Sequence, residues 1–193
     1  MQNYQDMKNM FIDAVFITAE SGDWNKINFE KLCKVLKVKP SEGYKLFPGV
    51  EAILDFYSEQ ITDLVRENLD KKELREVLPR EALLEVLMCR LDLLNPRKSA
   101  LKIITEHSMR DPCSLVFTLK RVKKSMNIMI SESEINIKRG SGFILEKSIS
   151  FLWILTLRRW LTNKESDAPA IATLDKGLKK IEEMGFNFTR HTF

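Results

Sequence analysis

The sequence predicts an all-α chain of about nine helices, a small three-helix head in front of a larger helical bundle. Three observations predict it. Apolar residues recur at three- and four-residue steps along most of the chain, the spacing that gathers them on one face of a helix. Seven Gly and six Pro leave little material for the many turns of a β-sandwich, and most of the prolines stand where helices begin or have just ended. Apolar residues at 44% and charged residues at 30% give a globular balance, not a disordered one.

The first predicted helix covers 4–21, with Met7, Met10, Phe11, Ala14, Val15 and Thr18 on its inner face and Gly22 as its stop. Asn28 reads as the N-cap of a second, short helix with Phe29, Leu32, Cys33 and Leu36 on one side. After the turn Lys37-Val38-Lys39, Pro40 suits the first position of a third helix, where no N–H is needed. That helix covers 41–47, and Pro48-Gly49 ends it. A fourth covers 50–68, with Ile53, Leu54, Tyr57, Ile61, Leu64 and Val65 as its stripe.

Beyond it, Pro79 opens a leucine-rich helix closed by Asn95-Pro96, and a shorter one follows over 98–109. Pro112 starts the next, with Leu115, Leu119, Val122, Met126 and Met129 in steps of four, three, four and three. The stretch 131–141 reads as a polar link ending at Gly140-Ser141-Gly142. The segment 143–161 is apolar almost all round, which predicts a helix buried on most sides. The last helix begins near Pro169 and carries the narrow seam Ile171, Leu174, Leu178 and Ile181. This divides the chain into a head (1–57), a ligand-binding and dimerisation body (58–185) and a tail (186–193).

Several function classes lose support at this level. The greasiest uncharged stretch, Ser148 to Leu157, has ten residues where a spanning helix needs about 20. The N-terminus lacks the basic and apolar regions of a secretory signal. Cys33, Cys89 and Cys113 are widely spaced and odd in number, which fits free thiols in a reducing compartment, so a cytoplasmic protein is expected. His107 and His191 stand apart from any ligand-spaced Cys or carboxylate, and no HExxH, GxSxG or phosphate-binding loop occurs. A non-enzyme without metal or cofactor is the expectation. Charge is uneven: residues 1–60 hold seven Lys against nine Asp and Glu, a net of −2, and residues 61–193 hold 24 cations against 18 acids, a net of +6.

The stretch from Lys37 to Ile53, KVKPSEGYKLFPGVEAI, resembles the helix-turn-helix head of the TetR family at Val38, Tyr44, Phe47, Pro48, Glu51, Ala52 and Ile53. Arg90-Leu91-Asp92, Arg159-Trp160-Leu161 and Thr173-Leu174-Asp175 with Leu178 are similar to the lipid-binding accessory protein family of coenzyme Q (ubiquinone) biosynthesis, itself a TetR-like fold. The resemblance implies a homodimer, an apolar pocket for an isoprenoid lipid or quinone precursor, and delivery to a membrane-bound hydroxylase at the inner membrane. The pocket is then expected around Leu87, Met88, Leu91, Leu119, Val122, Met126 and Leu152. The dimer interface is expected at Trp153, Trp160, Ile171, Leu174, Leu178 and Ile181.

Lys120, Arg121, Lys123 and Lys124 form a basic run that could meet anionic headgroups, at about 1 kcal/mol per cation. The tail from Gly185 to Phe193 is too short for a full interfacial helix. The alternative is a DNA-binding regulator with an apolar effector, using Lys39, Tyr44 and Lys45. Two features weigh against it: TetR heads carry a Lys where this chain has Val50, and the acidic balance of residues 1–60 disfavours phosphate binding.

Overall fold

A computed structural model of the chain describes residues 2–136, 142–184 and 188–190. Ten α-helices lie among them: α1 (Gln2–Glu20), α2 (Phe29–Val35), α3 (Pro40–Leu46), α4 (Val50–Asn68), α5 (Lys71–Glu76), α6 (Pro79–Leu94), α7 (Lys98–Ser108), α8 (Pro112–Glu132), α9 (Gly142–Thr162) and α10 (Ala168–Glu183). Short 3₁₀ turns occupy Trp24–Lys26 and Asn95–Arg97. The all-α reading holds, and most helix starts lie at the residues whose chemistry suits them. Asn28 Oδ1 accepts from the Lys31 backbone N–H at 2.8 Å, Pro40 opens α3 and Pro79 opens α6. The sequence reading missed α5, although Asp70 caps it by accepting from the N–H groups of Lys72 and Glu73.

The chain forms two compact units, one of Met1–Gln60 with Arg97–Leu119 and one of Ile61–Pro96 with Lys120–Phe193. In the first, α7 and the start of α8 complete the head. Its core runs from Phe11, Val15 and Phe16 through Trp24, Phe29, Leu32, Cys33 and Phe47 to Ile53, Leu54, Ala100 and Ile104. Phe11 is its hub: it stacks on Phe29 at 5.5 Å and meets Phe47 edge-on at 5.8 Å. Full burial of one such side chain contributes about 1.5–3 kcal/mol, so these rings dominate the head's stability.

In the second unit α10 packs along α9 and against α6. The contact is close because Gly177 has no side chain: a Cβ there would lie 2.2 Å from Leu152 Cδ1. Leu174, Leu178 and Ile181 are buried within this unit, as are Trp153 and Trp160. Arg80 clips α6 to α10, donating to Asp175 at 2.8 Å and pairing with Glu182 at 3.4 Å. Arg90 is buried at 4% exposure and donates to Thr62 Oγ1 at 3.0 Å and Ser125 Oγ at 3.1 Å, tying α4, α6 and α8 together.

The described part of the expected polar link over 131–141 holds regular structure. α8 runs on to Glu132, and strand β1 (Ile135–Asn136) pairs antiparallel with β2 (Thr189–Arg190). Phe188, assigned to the tail, is buried at 7%. Gly140 and Ser141 lie outside the described residues. No helix among the described residues is long and apolar enough to cross a membrane.

Candidate nucleic-acid interface

α2, its turn and α3 form a helix-turn-helix whose two helices touch at Gly43. A Cβ on Gly43 would lie 2.6 Å from Cys33 Sγ and 3.3 Å from the Phe29 ring, so only glycine permits this approach. The turn is a Schellman closure: Lys37 N–H donates to Lys34 O at 3.2 Å and Val38 N–H to Cys33 O at 2.9 Å. That closure needs a left-handed residue, usually glycine. Here Lys37 occupies it, with φ 55°. A side chain held in this region costs of order 1 kcal/mol, and such strain concentrates at functional positions.

Gly43 faces inward, so residues two positions away on either side, Ser41 and Lys45, stand on the outer ridge of α3, flanked by Glu42 and Tyr44. All four are exposed. Tyr44 is 48% exposed and leans its ring on Phe29 at 4.7 Å, so it packs the head and presents an edge to solvent together.

The charge of this segment differs from that of the head around it. Residues 26–47 carry Lys26, Lys31, Lys34, Lys37, Lys39 and Lys45 against Glu30 and Glu42, six cations to two acids, a net of +4. All six lysines are exposed. Lys26 pairs with Asp23 at 3.2 Å, and Lys31 Nζ donates to the Lys26 carbonyl at 2.9 Å. Among the described residues no carboxylate lies within ion-pair range of Lys34, Lys37, Lys39 or Lys45. The acids that make residues 1–60 net negative sit on α1 and α4 and around Asp23. Averaging over 60 residues therefore concealed a basic turn. Lys37 and Lys34 were missed as candidates, although a lysine at the glycine position of a helix-turn-helix turn was visible in the sequence.

Val50, the departure that weighed against DNA, is a half-buried residue at the start of α4, packed on the head core. Lys8 supports the same end of the head, with its ammonium 4.5 Å from the Phe56 ring and 5.9 Å from that of Phe47. His107 packs edge-on against Trp24 at 6.3 Å, and no metal-forming group of His, Cys, Asp and Glu occurs among the described residues.

The residues expected to line a lipid pocket separate. Leu87, Leu91, Met126 and Leu152 are buried in the second unit, and Met88 and Val122 are half-buried there. Leu119 belongs to the first unit and is 46% exposed, with Val116 and Phe117 similarly open. The three-four stripe of α8 is core only in its later half, at Met126, Met129 and Ile130. A surface depression lies where α9 turns into α10, lined by Arg159, Thr162, Asn163, Lys164, Glu165 and Pro169, a polar set that includes none of the seven expected residues.

The residues expected at a dimer interface divide in a similar way. Trp153, Trp160, Leu174, Leu178 and Ile181 face the inside of their own unit, and only Ile171 of the set is half-buried. The exposed apolar side chains of α9 are Phe143, Ile144, Phe151 and Leu155. A helix that is apolar all round can divide its surface between its own core and an outer face, and periodicity does not tell the two apart.

No protein-family model and no curated protein matches the chain. Solved structures do. The crystal structure of a TetR transcriptional regulator from Nitrosomonas europaea ATCC 19718 superposes with a TM-score of 0.68 at 12% identity, covering 92% of this chain and 99% of that one. A protein assigned to the TetR family of transcriptional regulators, from Mesorhizobium loti MAFF303099, superposes with a TM-score of 0.54 at 12% identity, covering 94% and 97%. At these identities the likeness establishes a TetR-like fold. The expectation of a coenzyme Q lipid carrier is overturned: both of these solved structures are described as TetR transcriptional regulators, and neither supports the carrier family or its hydroxylase partner.

Proposed function

We propose that this chain is a TetR-type, DNA-binding transcription regulator whose body responds to a small apolar effector. The observation that carries the reading is the helix-turn-helix built around Gly43, with six exposed lysines against two acids and one of those lysines held at a strained turn position. Phosphate neutralisation supplies most non-specific DNA affinity, and a local excess of cations provides it whatever the average charge of the surrounding helices. Lys34, Lys37 and Lys39 would contact backbone phosphates, and the outer ridge of α3 would enter the major groove with Tyr44 and Lys45 beside the bases. The likeness to solved regulators supports this use of the fold.

The regulator would act as a homodimer through the outer face of α9, with Phe143, Ile144, Phe151 and Leu155 covered by the same residues of a second copy. An isologous pair places two heads on an inverted repeat, whose half-sites would lie about one helical turn of DNA apart. Leu87, Met88, Leu91, Val122, Met126 and Leu152 remain the candidate contacts for an effector within the second unit. The test is selection of genomic fragments by the purified protein, followed by sequencing. Enrichment of a few fragments sharing an inverted repeat is expected. Recovery no better than that of bulk genomic DNA would contradict the proposal.

A further inference from the structure

Glu42 fits poorly with a surface that only neutralises phosphates. It is exposed in the first turn of α3, on the flank of the Ser41–Lys45 ridge, and among the described residues no ion pair holds its carboxylate. It is also one of just two acids in a segment that carries six lysines. Against a phosphate backbone a free carboxylate repels, so on electrostatics alone this position weakens binding to every DNA sequence. A carboxylate in the major groove only accepts hydrogen bonds, so it can pair with the amino groups of cytosine N4 and adenine N6; cytosine is the better partner, because the N7 acceptor beside adenine N6 repels the second carboxylate oxygen. The remaining outer residues of α3 suit different work in a major groove: a lysine such as Lys45 can donate to guanine O6 and N7, and a serine such as Ser41 can pair with either kind of edge.

Resting on the proposed DNA-binding reading, we infer that Glu42 is a specificity-determining residue that selects a cytosine within each half-site. Its repulsion from phosphate lowers affinity for all other sequences, and its acceptor oxygens recover affinity where cytosine N4–H₂ faces it. Discrimination by a polar group left unpaired against the wrong base is the larger part of such selection. The residue therefore acts mainly by rejecting guanine and thymine, whose major-groove edges offer acceptors and no donor, and more weakly adenine, whose N7 acceptor adjoins its N6 donor.

The experiment is selection from a randomised duplex pool with the full chain, using the wild type, Glu42→Gln and Glu42→Ala. Circular dichroism confirms that the exposed substitutions leave the helices intact. The wild type is expected to fix cytosine at one position of each half-site. Glu42→Gln should move that single position toward adenine, which an amide pairs through N6 and N7, and Glu42→Ala should lose preference there by about tenfold while the other positions hold. Both variants should bind unrelated DNA more tightly than the wild type. A selected site whose base preferences are the same in all three proteins would overturn the role of Glu42 and leave the regulator reading standing. A wild type that enriches no sequence would overturn that reading, and this inference with it.

Discussion

The helix-turn-helix and the outer face of α9 are both exposed, but for opposite reasons. Around the turn, lysines stand in water at little cost, and Lys37 is held at φ 55° where glycine would be relaxed. On α9, Phe143, Ile144, Phe151 and Leu155 stand in water at a cost that covering them would remove. The first surface is stable alone and, in the proposed regulator, would meet the phosphates of DNA. The second is unfavourable alone and, in the proposed dimer, would be covered by its own copy. Exposure of a charged group and of an apolar group are thus different evidence, and the comparison can be pressed on each side.

The largest effect is expected on the apolar side. Phe151→Glu combined with Leu155→Glu should convert a dimer into a monomer, since each apolar side chain covered contributes about 1.5–3 kcal/mol. Sedimentation velocity would read the change, and an unchanged sedimentation coefficient would remove α9 from the interface. Next comes Gly43→Ala, which forces a methyl against Cys33 Sγ and should cost about 1–3 kcal/mol of head stability. Burial raises the Cys33 thiol, with the nearby Glu30 charge adding to the rise, so its reactive thiolate is scarce in the native head. Alkylation of Cys33 should accordingly be slow beside that of exposed Cys113, and faster in Gly43→Ala.

Lys37→Gly separates stability from function. Relief of the left-handed side chain should raise stability by about 1 kcal/mol, while loss of one cation lowers DNA affinity. A variant both more stable and equally tight on DNA would show that the strain serves nothing at this surface. Smaller still, Lys39→Ala should weaken binding to all sequences alike and make the salt dependence shallower by about one unit of slope. The smallest effect is reserved for Asp23→Asn: an exposed ion pair with Lys26 contributes little, and DNA affinity should change by less than about twofold.

Much of the fold was legible because helix-forming chemistry is local. Asn28, Pro40 and Pro79 mark starts that backbone hydrogen bonding requires, and the apolar steps of α1, α4 and α10 name most of their buried faces, although Met10 and Leu64 in those stripes are exposed. The two-residue pairing of Ile135–Asn136 with Thr189–Arg190 was not legible, since its partners lie more than 50 positions apart and neither stretch has strand character of its own. α5 was passed over for its charged composition, though Asp70 was there to be read.

The site was legible in part. Lys39, Tyr44 and Lys45 stand where the motif implied, but the sign of the segment was lost by counting charge over 60 residues when the surface in question spans 26–47. The apolar seam on α10, read as a partner surface, is buried within its own chain. A narrow apolar stripe shows that something covers it, and here α9 and α6 of the same chain are packed against that helix. Leu119 keeps the spacing of its stripe and is exposed, because α8 carries that periodicity before the helix enters the core at Met126.

The central claim, that the basic helix-turn-helix is a DNA-binding surface, is tested most directly by fluorescence anisotropy of a labelled duplex titrated with the purified chain across a salt series. The logarithm of the binding constant should fall linearly with the logarithm of salt concentration, at about 0.9 per phosphate contacted, and the line should flatten when Lys34, Lys37 and Lys39 are replaced together. A chain that fails to bind at low salt, or that binds with a slope indifferent to those three lysines, would contradict it.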